Sequence, residues 1–170
     1  MEEEIQNKVE ESGLINIDLE DYYTKGERVL IDLKEYLFQE LILKEKDFRQ
    51  AVNDHDWSSY QDKLVAVHCS ADVIVPSWAY MLIAVNLESY AKKVIFGNLD
   101  TLETTLFHQN LQSLDMDKYK DERVIIKGCG NVPIHDSAYV EISMLLKPIV
   151  KSMMFGEACS TVPLYKRPSN

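Results

Sequence analysis

Apolar positions along this chain fall into short runs and helical stripes, and they alternate most clearly in its second half. Lys63-Leu-Val-Ala-Val67 is a continuous apolar run bounded by polar residues, the mark of a buried strand. Trp78–Tyr90 is apolar nearly all round and predicts a buried helix. Val94-Ile-Phe96 predicts a second strand, stopped at Gly97. Leu102, Leu106 and Leu114 lie near helical spacing and predict a helix over 102–114. Arg123-Val-Ile-Ile126 predicts a third strand. Ala138–Val150 predicts a helix that Pro148 kinks or ends. Met153-Met-Phe155 predicts a fourth strand.

The first part of the chain reads less sharply. Residues 1–12 are acidic and polar, as in a loose leader or a short surface helix. Ile15-Asn-Ile17 alternates and suits a short edge strand. Leu30, Leu33, Leu37 and Leu41 recur at helical spacing, whereas Arg28-Val-Leu-Ile31 suits the start of a strand; both readings stand. Glu45–Asn53 predicts a polar helix carrying Phe48 and Val52, closed by His55-Asp-Trp57.

Strand followed by helix, repeated, implies parallel strands joined by right-handed crossovers. A shift of 59 residues aligns Tyr60–Thr101 with Tyr119–Ser160 and matches ten positions, among them Tyr80/Tyr139, Ile83/Ile142, Phe96/Phe155 and Gly97/Gly156. Chance gives roughly three at background residue frequencies. The expected fold is therefore α/β: a mainly parallel sheet of at least four strands built from two similar β-α-β units, with an N-terminal addition. Residues 1–170 read as a single domain: an addition over 1–56, a first unit over 57–101, a connecting helix over 102–118 and a second unit over 119–166. Numbering those four strands in chain order, the expected sheet order is 2-1-3-4, which makes strands 1 and 3 neighbours and opens a ligand crevice outside their carboxyl ends.

A chain of 170 residues with 46% hydrophobic content is long enough for a real core. The net charge of −10 argues against nucleic acid and anionic membranes as partners. No apolar stretch approaches the ~20 residues of a membrane helix. The chain opens Met1-Glu-Glu-Glu4 rather than with a basic-then-apolar leader, so the expected compartment is cytoplasmic. In that reducing setting three cysteines suit thiolate chemistry, metal ligation or plain burial rather than disulfides.

All three cysteines head small-polar segments ending in Val-Pro: Cys69-Ser-Ala-Asp-Val-Ile-Val-Pro76, Cys129-Gly-Asn-Val-Pro133 and Cys159-Ser-Thr-Val-Pro163. Cys69 and Cys129 each follow the first strand of a unit, and Cys159 follows the fourth strand. Neighbouring strands lie ~4.8 Å apart, so thiols at those ends can meet. Three thiolates suit zinc, iron or an iron–sulfur cluster, and a fourth position falls to His68, His135, Asp72, water or substrate. Gly128 and Gly130 flank Cys129 and suit backbone amides turned towards an anion or cluster sulfur. Alternatively Cys129 is a catalytic nucleophile, as in sulfur carriers and thiol reductases. The plain reading of each cysteine is a small buried hydrophobe. His135-Asp-Ser137 precedes a helix, where Asp136 or Ser137 suits an N-cap and His135 faces the crevice. Trp78, Tyr80 and Tyr139 read as helix-packing residues. No glycine-rich nucleotide loop and no Gly-x-Ser-x-Gly occurs.

The segments Ile42-Leu-Lys-Glu-Lys-Asp-Phe-Arg49, Cys69–Tyr80, Lys127-Gly-Cys-Gly130 and Met154–Tyr165 resemble an uncharacterised bacterial family, the domain of unknown function numbered 2480. The resemblance runs from about Ile5 to Lys166. It implies no established activity and no ligand set. It does imply a neighbourhood of sulfur-mobilisation genes and partners among iron–sulfur assembly proteins. The expected function is a metal- or iron–sulfur-binding protein with Cys69, Cys129 and Cys159 at one sheet edge. A sulfur transferase or reductase using Cys129, and a non-catalytic interaction module with buried cysteines, are the alternatives.

Overall fold

A computed structural model of the chain describes residues 13–128, 130–157 and 160–168. They form two compact units. Unit one holds the described residues up to Thr24 and from Leu106 onward; unit two is Lys25–Thr105.

Unit two is built on a three-stranded parallel sheet of β2 (Arg28–Asp32), β5 (Leu64–His68) and β6 (Lys93–Phe96), in the order β2-β5-β6. Leu64, Val65, Ala66 and Val67 are all buried, as a central parallel strand covered on both faces requires. A short hairpin, β3 (Leu37–Phe38) with β4 (Ile42–Leu43), and helices α1 (Glu45–Asp54) and α2 (Ser77–Leu87) belong to the same unit. Its core gathers Ile31, Leu33, Phe48, Val52, Trp57, Val65, Val67 and Ile83. The Trp57 indole N–H donates to Val52 O at 2.9 Å, which settles the one polar atom of that buried ring.

Unit one carries a four-stranded sheet in the order β1-β7-β8-β9, formed by β1 (Leu14–Asp18), β7 (Arg123–Lys127), β8 (Ser152–Glu157) and β9 (Ser160–Lys166). The first three strands are parallel and β9 is antiparallel to β8. Helix α4 (Asp136–Leu146) covers it with Ala138, Ile142 and Leu146, three positions at helical spacing. Helix α3 (Leu99–Leu111) contains the boundary between the units: its end belongs to unit one, where Phe107 and Leu111 join the core.

The protein is thus mixed α/β, and the expectation of one mainly parallel sheet ordered 2-1-3-4 is corrected. The two strands of each β-α-β segment pair with one another, but β5 and β7 lie in different sheets. The physical reason is edge occupancy. The open side of β5 is taken by β2 and that of β7 by β1, both drawn from the N-terminal part of the chain. Arg28–Ile31 is therefore strand and not the start of a leucine-spaced helix. Asp32 ends it by accepting from Lys34 N at 2.9 Å, and Gln39 and Glu40 take positive φ, which breaks any helix there. Helix α2 is apolar all round yet not buried all round: Met81 and Val85 stand 65% and 71% exposed, because only one face meets the sheet. Helix α4 ends at Leu146, ahead of Pro148, as the proline dictates. Strand β9, with Pro163 at a register shift, was not anticipated from its sequence.

Candidate functional site

The carboxyl ends of the parallel strands carry the chemistry in each unit. At the end of sheet β2-β5-β6, Asp32 terminates its strand and accepts from the backbone N–H of Lys34 and of Ser70, both at 2.9 Å. Burial works against ionisation of Asp32, but the Ser70 and Lys34 hydrogen bonds, helped by nearby His68, outweigh it and hold the carboxyl below its ordinary value. His68 Nε2 stands 3.8 Å from Asp32 Oδ2. Cys69 is a half-buried free thiol packed against the core, its Sγ 3.8 Å from Ala71 O. Burial, then the nearby Cys69 and Asp32, raise the Tyr80 hydroxyl above its ordinary value. Asp72 is exposed on the following loop. Here the structure brings together Asp32, His68, Cys69, Ser70 and Tyr80.

The same end of sheet β1-β7-β8-β9 is built differently. Asp18 caps the turn after β1 by accepting from Glu20 N at 3.0 Å. That turn aims the Glu20 carboxylate at the chain after β7. A Cβ added to Gly130 would land on Glu20 Oε1, so only glycine lets that carboxylate lie there. Glu20 Oε1 is fully buried and, among the described residues, makes no hydrogen bond. Gly128 has an analogous reason. A Cβ there would collide with the Tyr139 ring, whose hydroxyl donates to Gly128 O at 3.0 Å and whose ring meets Phe155 edge-on at 5.6 Å. Across the neighbouring strands β7 and β8, Lys127 Nζ pairs with Glu157 Oε2 at 2.8 Å. His135 caps helix α4, its Nδ1 2.9 Å from Ser137 Oγ and 3.3 Å from Ser137 N. The cap is His135 itself and not Asp136 or Ser137.

Cys129 and Cys159, two of the three candidate thiols, lie outside the described residues. Their neighbours in sequence, Gly128 with Gly130 and Glu157 with Ser160, all belong to unit one. Cys69 belongs to unit two, and the strand adjacency expected to draw it beside Cys129 is absent, since β5 and β7 are not sheet neighbours. Among the described residues, no three His, Cys, Asp or Glu side chains gather closely enough to hold a metal ion. Trp78, Tyr80 and Tyr139 pack edge-on against Phe48, Phe96 and Phe155, as helix-packing aromatics do. Among the described residues no helix is long and apolar enough to cross a membrane.

Glu20 carries no distinguishing signal in the sequence, but Asp18 and Asp32 do. Ile17-Asp-Leu-Glu-Asp-Tyr22 and Ile31-Asp-Leu-Lys-Glu-Tyr36 repeat at an offset of 14 residues. In both, the aspartate ends a strand, the leucine is fully buried and the acceptor contact reaches two residues on.

Searches of curated proteins and of solved structures find no match to the chain. The family model described as "Protein of unknown function (DUF2480)" matches residues 3–167, nearly the whole length. The cysteine-bearing segments, both β-α-β segments and the Asp18 and Asp32 turns all fall within that match, and the chain belongs to this family.

Proposed function

We propose that the chain is a metal- or iron–sulfur-binding protein whose site lies at the carboxyl end of the unit-one sheet, with Cys129 and Cys159 as thiolate ligands and Glu20 as a carboxylate ligand. The observation that carries this reading is the buried Glu20 Oε1, which has no hydrogen-bond partner among the described residues and lies against Gly130, one residue from Cys129. A buried carboxylate oxygen without a partner is costly, and a bound cation removes the cost. Thiolate and carboxylate together suit zinc or iron. The pairing of Lys127 with Glu157 supports it further, because it ties together the strand ends that lead towards Cys129 and Cys159. Cys69 is left out of the ligand set and stands as a packing residue of unit two. A site of this kind serves iron–sulfur assembly or sulfur handling in a reducing cytoplasm. The test is metal and sulfide analysis of protein purified anaerobically. Wild type and Cys69→Ser carry metal, whereas Cys129→Ser and Cys159→Ser lose it. Wild-type protein that is metal-free and takes up neither zinc nor iron sinks the proposal.

The fold supports a second element of the reading: the units are copies of one β-α-β pattern, one inserted within the other. Equivalent residues recur at the 59-residue offset. Asp62 and Asp121 both adopt φ of 59°, and their backbone N–H groups donate to Tyr90 O and Ile149 O at 2.9 and 2.8 Å. Tyr80 and Tyr139 meet Phe96 and Phe155 edge-on at 89° and 88°. On this view unit two interrupts unit one after the Asp18 turn. The thiol-bearing loop of unit one has then diverged towards Gly128 and Gly130.

A further inference from the structure

The two sheets differ at one edge. In unit one the outer edge of β8 is covered by β9, whereas among the described residues no strand pairs with the outer edge of β6, its counterpart in unit two. An open edge presents unpaired backbone groups and invites a further strand. The consequence is visible in the matched phenylalanines: Phe155 beside β9 is half-buried, whereas Phe96 is 71% exposed. Beside β6 lies a groove of about 260 Å³ floored by Val67, Tyr80, Met81, Ala84 and Phe96. The equivalent groove of unit one, floored by Ile126, Tyr139, Val140, Ser143 and Phe155, has Leu164 of β9 in its wall.

The anchor that ends β9 also has a matching vacant counterpart. Arg167 donates from Nη1 to Asp121, from Nη2 to Ile149 O at 2.9 Å, and from its backbone N–H to Lys151 O at 2.9 Å. Asp62, Tyr90 O and Lys92 O occupy these places in unit two, and among the described residues the Asp62 carboxylate accepts from its exposed neighbour Gln61 Nε2, at 3.1 Å, and from no arginine. Where Lys147 lies over the Tyr165 ring at 5.8 Å, unit two carries Glu88. The edge is therefore apolar over Val94-Ile-Phe96, and the end where β9 closes with its arginine carries the Asp62 and Glu88 carboxylates beside Lys92 and Lys93, as unit one keeps Asp121 beside Lys151 there.

We infer that the outer edge of β6 is a docking site for an extended segment of a partner protein, laid antiparallel as β9 lies on β8, with apolar side chains over Phe96 and Met81 and a basic side chain on Asp62. This is strand addition, in which backbone hydrogen bonds supply affinity and alternate side chains supply choice. The inference is independent of the metal site. The probe is a fluorescein-labelled peptide of the β9 sequence, Ser160-Thr-Val-Pro-Leu-Tyr-Lys-Arg167, titrated by anisotropy into the full chain. Saturable binding is expected, weakened about fivefold by Asp62→Asn, which keeps the left-handed backbone that asparagine tolerates. It is expected to be unchanged in Asp121→Asn and abolished when the peptide's backbone amides are methylated. No saturable binding overturns the inference. Binding weakened by Asp121→Asn but not by Asp62→Asn means the peptide displaces β9, and overturns it too. A dimer seen by sedimentation without peptide, dissociating as peptide binds, hands the edge to a second copy and likewise overturns it.

Discussion

Replacing Glu20 with leucine separates a ligand from a structural acid. The backbone around residue 20 does not depend on its side chain: Asp18 Oδ1 accepts from Glu20 N at 3.0 Å, and Glu20 O accepts from Tyr23 N at 3.1 Å. What the substitution removes is a carboxylate with one oxygen buried and, among the described residues, unbonded. Such an atom costs about 1–3 kcal/mol. Without metal, Glu20→Leu is therefore expected to be more stable than wild type by about 1 kcal/mol. With metal the order reverses. A ligand present at 100 times its dissociation constant stabilises the folded protein by about 2.7 kcal/mol, and a variant lacking a ligand forfeits most of that. The assay is urea unfolding followed by circular dichroism, under reducing conditions, in excess EDTA and in excess zinc. The expected result is a crossing: the variant ahead in EDTA, wild type ahead in zinc. A variant that is weaker in EDTA and gains from zinc as much as wild type does refutes the reasoning.

Three further outcomes follow from particular contacts. Both tryptophans, Trp57 and Trp78, lie in unit two, so fluorescence follows that unit while circular dichroism follows the whole chain. Asp32→Ala is expected to cost unit two about 1 kcal/mol for the lost cap. Against Asp32→Asn, the wild-type carboxylate adds stability that is full above the unfolded value and is lost as pH falls below about 3.8, because its folded value is lowered; a gap equal at pH 7 and pH 3, by tryptophan fluorescence, refutes this. Gly128→Ala is expected to cost about 1–3 kcal/mol by driving a methyl group onto the Tyr139 hydroxyl and the ring edge that bears it, and Tyr139→Phe to relieve part of it by removing that hydroxyl oxygen, the nearest atom; strictly additive unfolding free energies would show that the two do not touch. Leu33→Ala is expected to cost about 2–5 kcal/mol and Leu30→Ala clearly less, since Leu33 is fully buried and Leu30 is 39% exposed; equal losses in urea midpoint would misplace the unit-two core.

The segments readable from the sequence are those whose own pattern admits one answer. Leu64–Val67 is apolar on both faces and too short for a helix, so it is a central strand wherever it finds partners. Ala138, Ile142 and Leu146 share one helical face, and Pro148 forbids continuation. Residues 28–41 were ambiguous because Leu30, Leu33 and Leu37 satisfy a helical period while Val29 and Ile31 satisfy a strand period; pairing with β5 and the Asp32 cap decided for the strand. Strand β9 escaped notice because Pro163 and two exposed apolar residues, Val162 and Leu164, resemble a loop until β8 offers an edge. Of the candidate site, the glycines around Cys129 were visible as residue types. Glu20 was not, because nothing local distinguishes it from the solvated acids beside it.

Taken alone, the order of residues determined the helices and the buried strands, which are set by contacts within a few turns of chain, and the parallel sense of each β-α-β segment, which its crossover helix dictates; the recurrence at 59 positions is written in the sequence itself. Only the tertiary structure decided that β1 and β2 complete separate sheets, that Cys69 and Cys129 therefore follow strands that are not neighbours, and that a carboxylate from residue 20 meets the backbone at residue 130. Strand edges are chemically alike, so which edge a strand joins depends on what competing segments have already filled, and that competition involves residues about 36 positions apart for β2 with β5 and about 109 for β1 with β7.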